Sequence, residues 1–289
     1  MLNIIVAGVA VPPQIFEEIF QRIDCRQTLI LSCPLVCRCW NEILSLAGFW
    51  IGYMKYHRMV VPPRALVAES ILNLRKICLK QPFERNLIDN PSGEKDFEGW
   101  IINADGGDGF NVEHPPRGLT VVLKEVIPTA FSTSYGYCYK YCCIDLWQEG
   151  IDSEFLDTFC PPITISDCIN CVWQCRAIYK LRVLLKPDKR LRYKTKQFPS
   201  FTWSYTFENS DAQWKHVEHT FSEYPTGLRY VIFGHGGKDL MYWAGYYGPK
   251  MANSSVVVHF GDGHKRRLVF LETFNGPLSV PVTRSLLKE

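Results

Sequence analysis

Residues 233–250 read FGHGGKDLMYWAGYYGPK, and they constrain the fold more than any other part of the chain. Glycines lie on both sides of the adjacent aromatic residues Tyr242 and Trp243. Glycine and short polar residues of this kind mark turns between strands, where flat aromatic side chains are exposed. We therefore interpret residues 236–239 as a hairpin connection, and we predict a glycine-bounded loop that presents Tyr242 and Trp243 at the edge of a β-domain.

The sequence around this loop predicts an antiparallel β-sandwich. Residues 229–233 and 255–260 are runs of β-branched and aromatic residues, and turn sequences occur at 90–93 (NPSG) and 105–109 (DGGDG). Strand alternation is clearest in residues 179–186, whose apolar positions are Tyr179, Leu181, Val183 and Leu185. Many short strands separated by such turns indicate a sandwich, and alternating strand and helix patterns do not occur.

A small helical module precedes the β-region. Apolar residues after Pro13 follow helical spacing, and they are Ile15, Phe16, Ile19, Phe20 and Ile23. Helical spacing returns in residues 35–44, and Phe49 and Trp50 close the block. Residues 59–83 then contain Pro62, Pro63 and a second short helical pattern, which we interpret as a helical linker. A module of about fifty residues buries little core, so we expect it to depend on a partner.

Composition and charge restrict the compartment and the partners. The chain has 289 residues, 32 basic against 29 acidic residues and a net charge of +3, which is too balanced to predict nucleic acid as a partner. No apolar run approaches the roughly 20 residues of a membrane span, and residues 2–11 lack a basic flank typical of a secretion signal. We therefore predict a cytoplasmic protein whose 12 cysteines are mostly free thiols.

The helical module resembles an F-box. The resemblance rests on Pro13, Ile15, Ile19, the run Leu35-Val36-Cys37-Arg38, Trp40 and the closing Trp50. The adaptor-binding residues that it implies are Pro13, Ile15, Ile19, Leu35, Val36, Trp40 and Trp50. Another kind of three-helix bundle is the alternative interpretation. The resemblance implies that these helices dock on a Skp-type adaptor and so join a cullin-based ubiquitin ligase. Exposed apolar residues on an undersized bundle suit such docking.

The β-region resembles the F-box-associated domain of sugar-recognising F-box proteins. Its ordered motifs are RNL at 85–87, NPSGE at 90–94, EGW at 98–100, GGDGF at 106–110 and the loop at 233–250. The resemblance implies an α+β multidomain chain with an all-α F-box at 10–58, a helical linker at 59–83, a jelly-roll-like β-sandwich at 84–262 and a C-terminal extension at 263–289. It also implies binding of high-mannose N-glycans on misfolded glycoproteins during ER-associated degradation.

A sugar site needs an aromatic plane against the C–H face of the ring and a few polar groups at its rim. Tyr242 and Trp243 supply the plane. The resemblance places a second loop opposite, with Phe131 or Tyr135 as its wall, and makes Asp167 an acceptor for sugar hydroxyls. This chain has Ala244 where glycan-binding relatives commonly carry lysine, and Cys168 where they tend to carry an aromatic residue.

The sequence leaves three alternatives to a sugar-binding site. The same sandwich could recognise a protein epitope after the loss of sugar affinity that Ala244 indicates. A hydrolytic enzyme would use a set of acids and bases, namely Asp108, His216, His219, His235 and Asp239, although the chain has no recognised hydrolase motif; we favour a role for His235 and Asp239 in bracing the loop. Cysteines at 168, 171 and 175 resemble part of a zinc site, but no second ligand pair follows, and we expect no metal or cofactor.

Overall fold

Strand β11, Tyr230–Asp239, contains the glycines that the sequence led us to interpret as a hairpin connection. That interpretation is wrong, because β11 pairs on both sides as a central strand, with β6 (Cys138–Asp145) and β8 (Ala177–Lys186). A Cβ added at Gly236 or Gly237 would collide with the backbone carbonyl groups of the neighbouring strands. The glycines therefore permit close packing of three backbones and do not form a turn.

The computed structural model describes residues 4–6, 9–69, 71–118, 127–189, 198–210 and 212–265. Within these ranges two five-stranded antiparallel sheets form a sandwich, as predicted. The first sheet has the order β3-β6-β11-β8-β9 and adds β3 (Ile101–Asp105) and β9 (Ser200–Phe207) to the three strands above. The second has the order β10-β7-β12-β5-β4, with β4 at Asn111–Glu113, β5 at Ala130–Ser132, β7 at Ile163–Asn170, β10 at Lys215–Phe221 and β12 at Lys250–Val258.

The hydrophobic core lies between the two sheets. Strand β8 buries alternate residues, as its sequence predicts, and these are Tyr179, Leu181, Val183 and Leu185. Strand β7 supplies Ile163, Ile165 and Ile169 from the opposite sheet. Burying side chains of this size stabilises the fold by about 1.5–3 kcal/mol each, so the interface between the sheets is the main source of stability for this region.

The amino-terminal part contains the predicted helices. A short hairpin of β1 (Ile4–Val6) and β2 (Val9–Val11) precedes α1 (Pro13–Gln21), and a π-helical turn (Thr28–Ser32) and a 3₁₀ turn (Cys33–Leu35) lead to α2 (Arg38–Ser45) and α3 (Ala47–Tyr56). Proline at the first turn of α1 suits the start of a helix, since its missing N–H would have no partner there. We call residues 13–56 the helical block.

The predicted linker contains two short helices, α4 (Arg64–Ala68) and α5 (Leu74–Lys80). Helix α5 packs against α3, and its Lys76 Nζ lies 2.5 Å from Asp152 at the start of α7 (Ser153–Phe159). Arg85, just after the predicted linker, pairs with Glu149 of α6 (Leu146–Glu149) at 2.7 Å. The C-terminal end of the linker and the residues directly after it are therefore attached to the helices that follow β6.

The register between β11 and β6 shows which parts of the protein lie at each end of β11. Tyr230, at the start of β11, pairs with Asp145 beside α6, whereas Gly237, near its end, pairs with Cys138 at the start of β6. The linker contacts and residues 240–249 consequently lie at opposite ends of β11.

Most of the predicted C-terminal extension, residues 266–289, lies outside the described residues. Among the helices that are described, none has the length and apolar character that crossing a bilayer requires.

Candidate functional site

Residues 240–249 join β11 to β12 and carry the aromatic pair that the sequence singled out. Tyr242 is 68% exposed and Trp243 is 49% exposed. Ala244 is also exposed. We call Tyr242, Trp243 and Ala244 the tip surface. Two adjacent exposed aromatic side chains form a contiguous apolar patch, which is a feature typical of binding surfaces.

A buried carboxylate holds the first half of this loop. Asp239 Oδ1 accepts hydrogen bonds from the backbone N–H groups of Met241 and Tyr242, the latter at 2.6 Å. Tyr242 has a φ of 59°, a left-handed conformation that a bulky residue seldom adopts. The two hydrogen bonds stabilise that conformation, which confirms the predicted bracing role of Asp239. Its Oδ2 atom is buried with no hydrogen-bond partner among the described residues.

A second carboxylate holds the other half of the loop. Asp108 Oδ2 accepts a hydrogen bond from the Gly245 N–H at 2.6 Å, and the Tyr246 hydroxyl donates to the Asp108 carbonyl oxygen at 3.3 Å. Gly245 has a φ of 107°, which favours glycine at this position. The turn that contains Asp108 and the aromatic loop therefore form one unit.

Tyr247 braces the Trp243 ring from the side. The two ring centroids lie 5.5 Å apart with perpendicular planes, an edge-to-face arrangement that aromatic pairs prefer. The backbone carbonyl oxygen of Tyr247 lies 3.6 Å from Cys171 Sγ at the end of β7. One side of the indole is thus packed while about half of it faces solvent.

Tyr135 lies next to the turn that binds Gly245. It is partly buried, and a Cβ added at Gly107 would lie 3.1 Å from its ring. Since Gly107 precedes Asp108, Tyr135 is close in structure to the base of the aromatic loop. Of the two residues proposed as an opposing wall, Tyr135 is the one that the described surface leaves partly accessible.

Phe131 is fully buried in β5, so the structure contradicts its predicted contact with a ligand. Its ring packs against Trp100 at 5.6 Å, and Lys140 Nζ lies 3.3 Å from its centroid. Aromatic residues at strand ends usually belong to the core, and Phe131 follows that rule. Phe131 therefore does not belong to the candidate surface.

Asp167 is also fully buried, which corrects its predicted role as a sugar acceptor. Its Oδ2 accepts from Tyr179 Oη at 2.5 Å and lies 2.6 Å from His235 Nδ1, while Oδ1 accepts from Ser254 Oγ at 3.0 Å. Cys168 beside it is buried as well. The carboxylate therefore joins the two sheets internally.

The Asp167 network continues to Lys140, whose Nζ lies 2.7 Å from His235 Nε2 and 3.1 Å from the Trp100 ring centroid. This arrangement has Lys140 donating to Nε2 and His235 donating from Nδ1 to Asp167. Burial, together with the nearby Lys140, lowers the pKa of His235 to about 4. Burial also places the pKa of Lys140 well below its ordinary value. His235 is therefore neutral, and it does not brace the aromatic loop as predicted.

The predicted adaptor-binding residues divide between surface and core of the helical block. The exposed ones are Ile15 (50%), Ile19 (51%), Leu35 (84%) and Val36 (61%). Pro13 is partly buried, and Trp40 lies partly buried with its ring 4.9 Å from that of Phe20. Trp50 is only 1% exposed and donates its indole N–H to the Leu44 carbonyl at 2.7 Å. Trp50 therefore belongs to the core of the block, and its predicted adaptor contact is corrected.

The residues weighed for catalysis or metal binding do not assemble into a centre. His235 lies in the buried network, whereas His216 and His219 are on β10 in the other sheet. The cysteines at 168, 171 and 175 are free thiols. Burial raises the pKa of Cys171 to about 12, so its thiol stays protonated. Across the described ranges no group of three or more His, Cys, Asp or Glu residues could hold a metal ion.

Comparison with known proteins identifies the class of the chain. The family model described as the F-box associated region matches residues 78–258. F-box only protein 6 of Mus musculus is 33% identical over 248 residues, which cover 86% of this chain and 82% of that protein. F-box only protein 44 of Homo sapiens is 34% identical over 86% of this chain and 94% of its own length. The chain therefore belongs to the family of F-box only proteins that carry an F-box associated region.

Two further comparisons are more distant. F-box only protein 2 of Bos taurus is 32% identical over 80% of this chain and 77% of its own length. Among solved structures, TmCBM61 in complex with β-1,4-galactotriose aligns with 61% of this chain at 12% identity and a TM-score of 0.39, a level of likeness too low to support a conclusion about function.

Proposed function

We propose that this protein is a substrate-recognition subunit of a Skp-cullin-F-box ubiquitin ligase. The helical block binds the Skp-type adaptor, which connects it to the cullin, and the sandwich binds the target. The protein performs no bond chemistry in this role, because it acts by raising the local concentration of the target near a conjugating enzyme. Membership of the F-box only family supports the ligase role, and the exposed apolar residues of the helical block, Ile15, Ile19, Leu35 and Val36, support adaptor docking.

The observation that carries the recognition half is the exposed aromatic pair of the tip surface. The loop that carries them is held by hydrogen bonds from Tyr242 to Asp239 and from Gly245 to Asp108, and it lies at the end of β11 opposite the linker. A surface so placed is separated by the length of β11 from the linker that leads to the helical block. Ordering of the loop before binding lowers the entropic cost of forming a complex.

We infer that the favoured ligand is the core of a high-mannose N-glycan on a misfolded glycoprotein, bound in the cytoplasm for ER-associated degradation. The indole of Trp243 offers a flat apolar face for the C–H side of a pyranose ring, and Tyr135 is placed to contribute a second side. Ala244 provides no hydrogen bond, and the absence of one charge-assisted bond costs about 1.5–3 kcal/mol, or about ten- to a hundredfold in affinity. We therefore expect sugar binding to be weak.

A glycan array with the full chain and its adaptor tests this function. Trp243→Ala should abolish the signal for N-glycans that contain the chitobiose core, and Ala244→Lys should strengthen it about tenfold or more. Trp147→Ala is the matched control, since Trp147 is 50% exposed but lies on α6 at the other end of β11. Absence of glycan binding in every variant, with adaptor binding retained, would reject the sugar and leave a protein epitope as the target.

A further inference from the structure

We propose that Trp173 forms a second aromatic contact beside the tip surface, and that the ligand is an oligosaccharide long enough to cover both Trp243 and Trp173. This inference rests on the proposed function and specifies the size of the ligand. Trp173 lies in residues 171–176, the turn between β7 and β8, and it is 59% exposed. It is thus more exposed than Trp243 itself.

The turn that carries Trp173 is bonded to the loop that carries Trp243. Leu240 donates its backbone N–H to the Arg176 carbonyl at 2.8 Å, and Cys171 Sγ lies 3.6 Å from the Tyr247 carbonyl oxygen. The Tyr247 ring in turn braces Trp243. Both exposed indoles therefore belong to neighbouring segments at the same end of the sandwich.

Backbone hydrogen bonds fix the Trp173 turn from two sides. The Trp173 N–H donates to the Gly118 carbonyl at 3.1 Å, and the Gln174 N–H donates to the Ser210 carbonyl at 2.9 Å. Val172 packs so closely on Gly118 that a Cβ added there would lie 2.8 Å from its side chain. The exposed indole consequently projects from a fixed backbone, as a preorganised binding surface requires.

The two tryptophans share a local backbone feature. Trp243 follows Tyr242, which has a φ of 59°, and Trp173 precedes Gln174, which has a φ of 58°. Left-handed conformations at residues with side chains are strained and persist where the surrounding structure enforces them, commonly at binding sites. Each indole is therefore adjacent to a residue whose backbone conformation the surrounding structure enforces.

Polar groups beside Trp173 suit a sugar ring. Gln174 is exposed and offers both a donor and an acceptor, and Arg176 pairs with Glu208 through two bonds of 2.8 and 3.0 Å. An apolar plane with donors and acceptors at its rim is complementary to a pyranose ring. Since one ring covers one indole, a ligand that contacts both tryptophans has several rings.

Calorimetric titration with two glycans of different length tests this inference. The probes are the disaccharide chitobiose and a high-mannose glycan with nine mannose residues on the same core. Trp173→Ala should weaken binding of the long glycan about 3- to 10-fold and leave the disaccharide affinity within twofold. Trp243→Ala should weaken both, Trp173→Tyr should restore the long glycan because it keeps an aromatic plane, and Trp147→Ala should change neither.

The outcomes separate the two proposals. Wild-type affinity for both glycans with no effect of Trp173→Ala would overturn the role of Trp173 and leave the proposed function intact. Equal loss of both probes in Trp173→Ala, without recovery in Trp173→Tyr, would also overturn it, since that pattern indicates a general structural defect. If the wild-type protein binds neither glycan but binds the deglycosylated polypeptide of a target, the proposed sugar recognition and this inference fail together.

Discussion

Gly245 donates its backbone N–H to the carboxylate of Asp108 at 2.6 Å, although the two residues are 137 positions apart in the sequence. This contact joins the 105–110 turn to the aromatic loop. It lies at the surface, where one hydrogen bond contributes little to global stability. We expect its main effect to be on the order of residues 240–249, and through them on ligand affinity.

Replacement of Asp108 by alanine should loosen the aromatic loop. A net loss of about 0.5–1.5 kcal/mol is expected for one hydrogen bond, which corresponds to about a 2- to 10-fold weaker affinity for ligand. Amide hydrogen exchange of residues 240–249 should become faster, while the melting temperature changes little. Asp108→Asn is the control because its amide oxygen still accepts from Gly245. If amide hydrogen exchange of residues 240–249 is unchanged in Asp108→Ala, the hydrogen bond between Asp108 and Gly245 does not order the loop.

Asp239 should be more sensitive than Asp108, because it is fully buried and its Oδ1 accepts two backbone N–H groups. Asp239→Ala leaves both donors without their partner and should lower the free energy of unfolding by about 1–3 kcal/mol. Asp239→Asn keeps an acceptor for both groups and should cost less. Urea denaturation of the three proteins checks this order, and equal loss in both variants would argue against the hydrogen bonds as the cause.

The buried network predicts that the protein becomes less stable as the pH drops below about 6.5. The folded-state pKa of His235, at about 4, is below its ordinary value of 6.5, so the unfolded chain binds a proton first as the pH drops. The contribution is complete above about pH 6.5, declines between pH 6.5 and 4, and amounts to about 3 kcal/mol.

Denaturation of wild type and His235→Gln between pH 7.5 and 5 measures this contribution. The variant should be less stable at neutral pH and show a shallower dependence on pH. The exposed His216 provides a control, and His216→Gln should keep the wild-type slope. A slope that is identical in wild type and His235→Gln would assign the pH dependence to other groups.

Adaptor binding and folding of the helical block should respond to different residues. Leu35→Ala removes an exposed side chain and should weaken capture of a Skp-type adaptor without a change in melting temperature. Trp50→Ala creates a cavity in the core and should cost about 3–5 kcal/mol. Val60→Ala, which alters an exposed linker residue, serves as the control for capture. Full adaptor binding by Leu35→Ala would exclude this residue from the interface.

The sequence predicted the elements whose signals are local. Alternation in β8 gave both the strand and its buried face, and the glycines beside Tyr242 and Trp243 indicated an exposed loop. The prediction of a hairpin connection at Gly236 and Gly237 was wrong. A glycine that close strand packing requires cannot be told from a turn glycine by sequence alone, because its neighbours in space are unknown.

Burial of individual side chains could not be predicted, because it depends on partners far along the chain. Asp167 accepts a buried hydrogen bond from His235, 68 positions away, and nothing near Asp167 in the sequence indicates that contact. Exposure of Trp173 could not be predicted for another reason. It lies between Cys171 and Cys175, and that spacing equally fits part of a zinc site, so the sequence alone does not identify Trp173 as a surface residue.

Strand β11 has ten residues, and an antiparallel strand of that length spans about 33 Å. The linker lies at one end of β11 and the tip surface at the other, so a small rotation at the linker causes a larger displacement of the tip surface. A tilt of about 10° at α5 would displace the tip by about 6 Å over that length. The ion pairs of Lys76 with Asp152 and of Arg85 with Glu149 join the two sides of that junction, and we expect them to limit such a tilt.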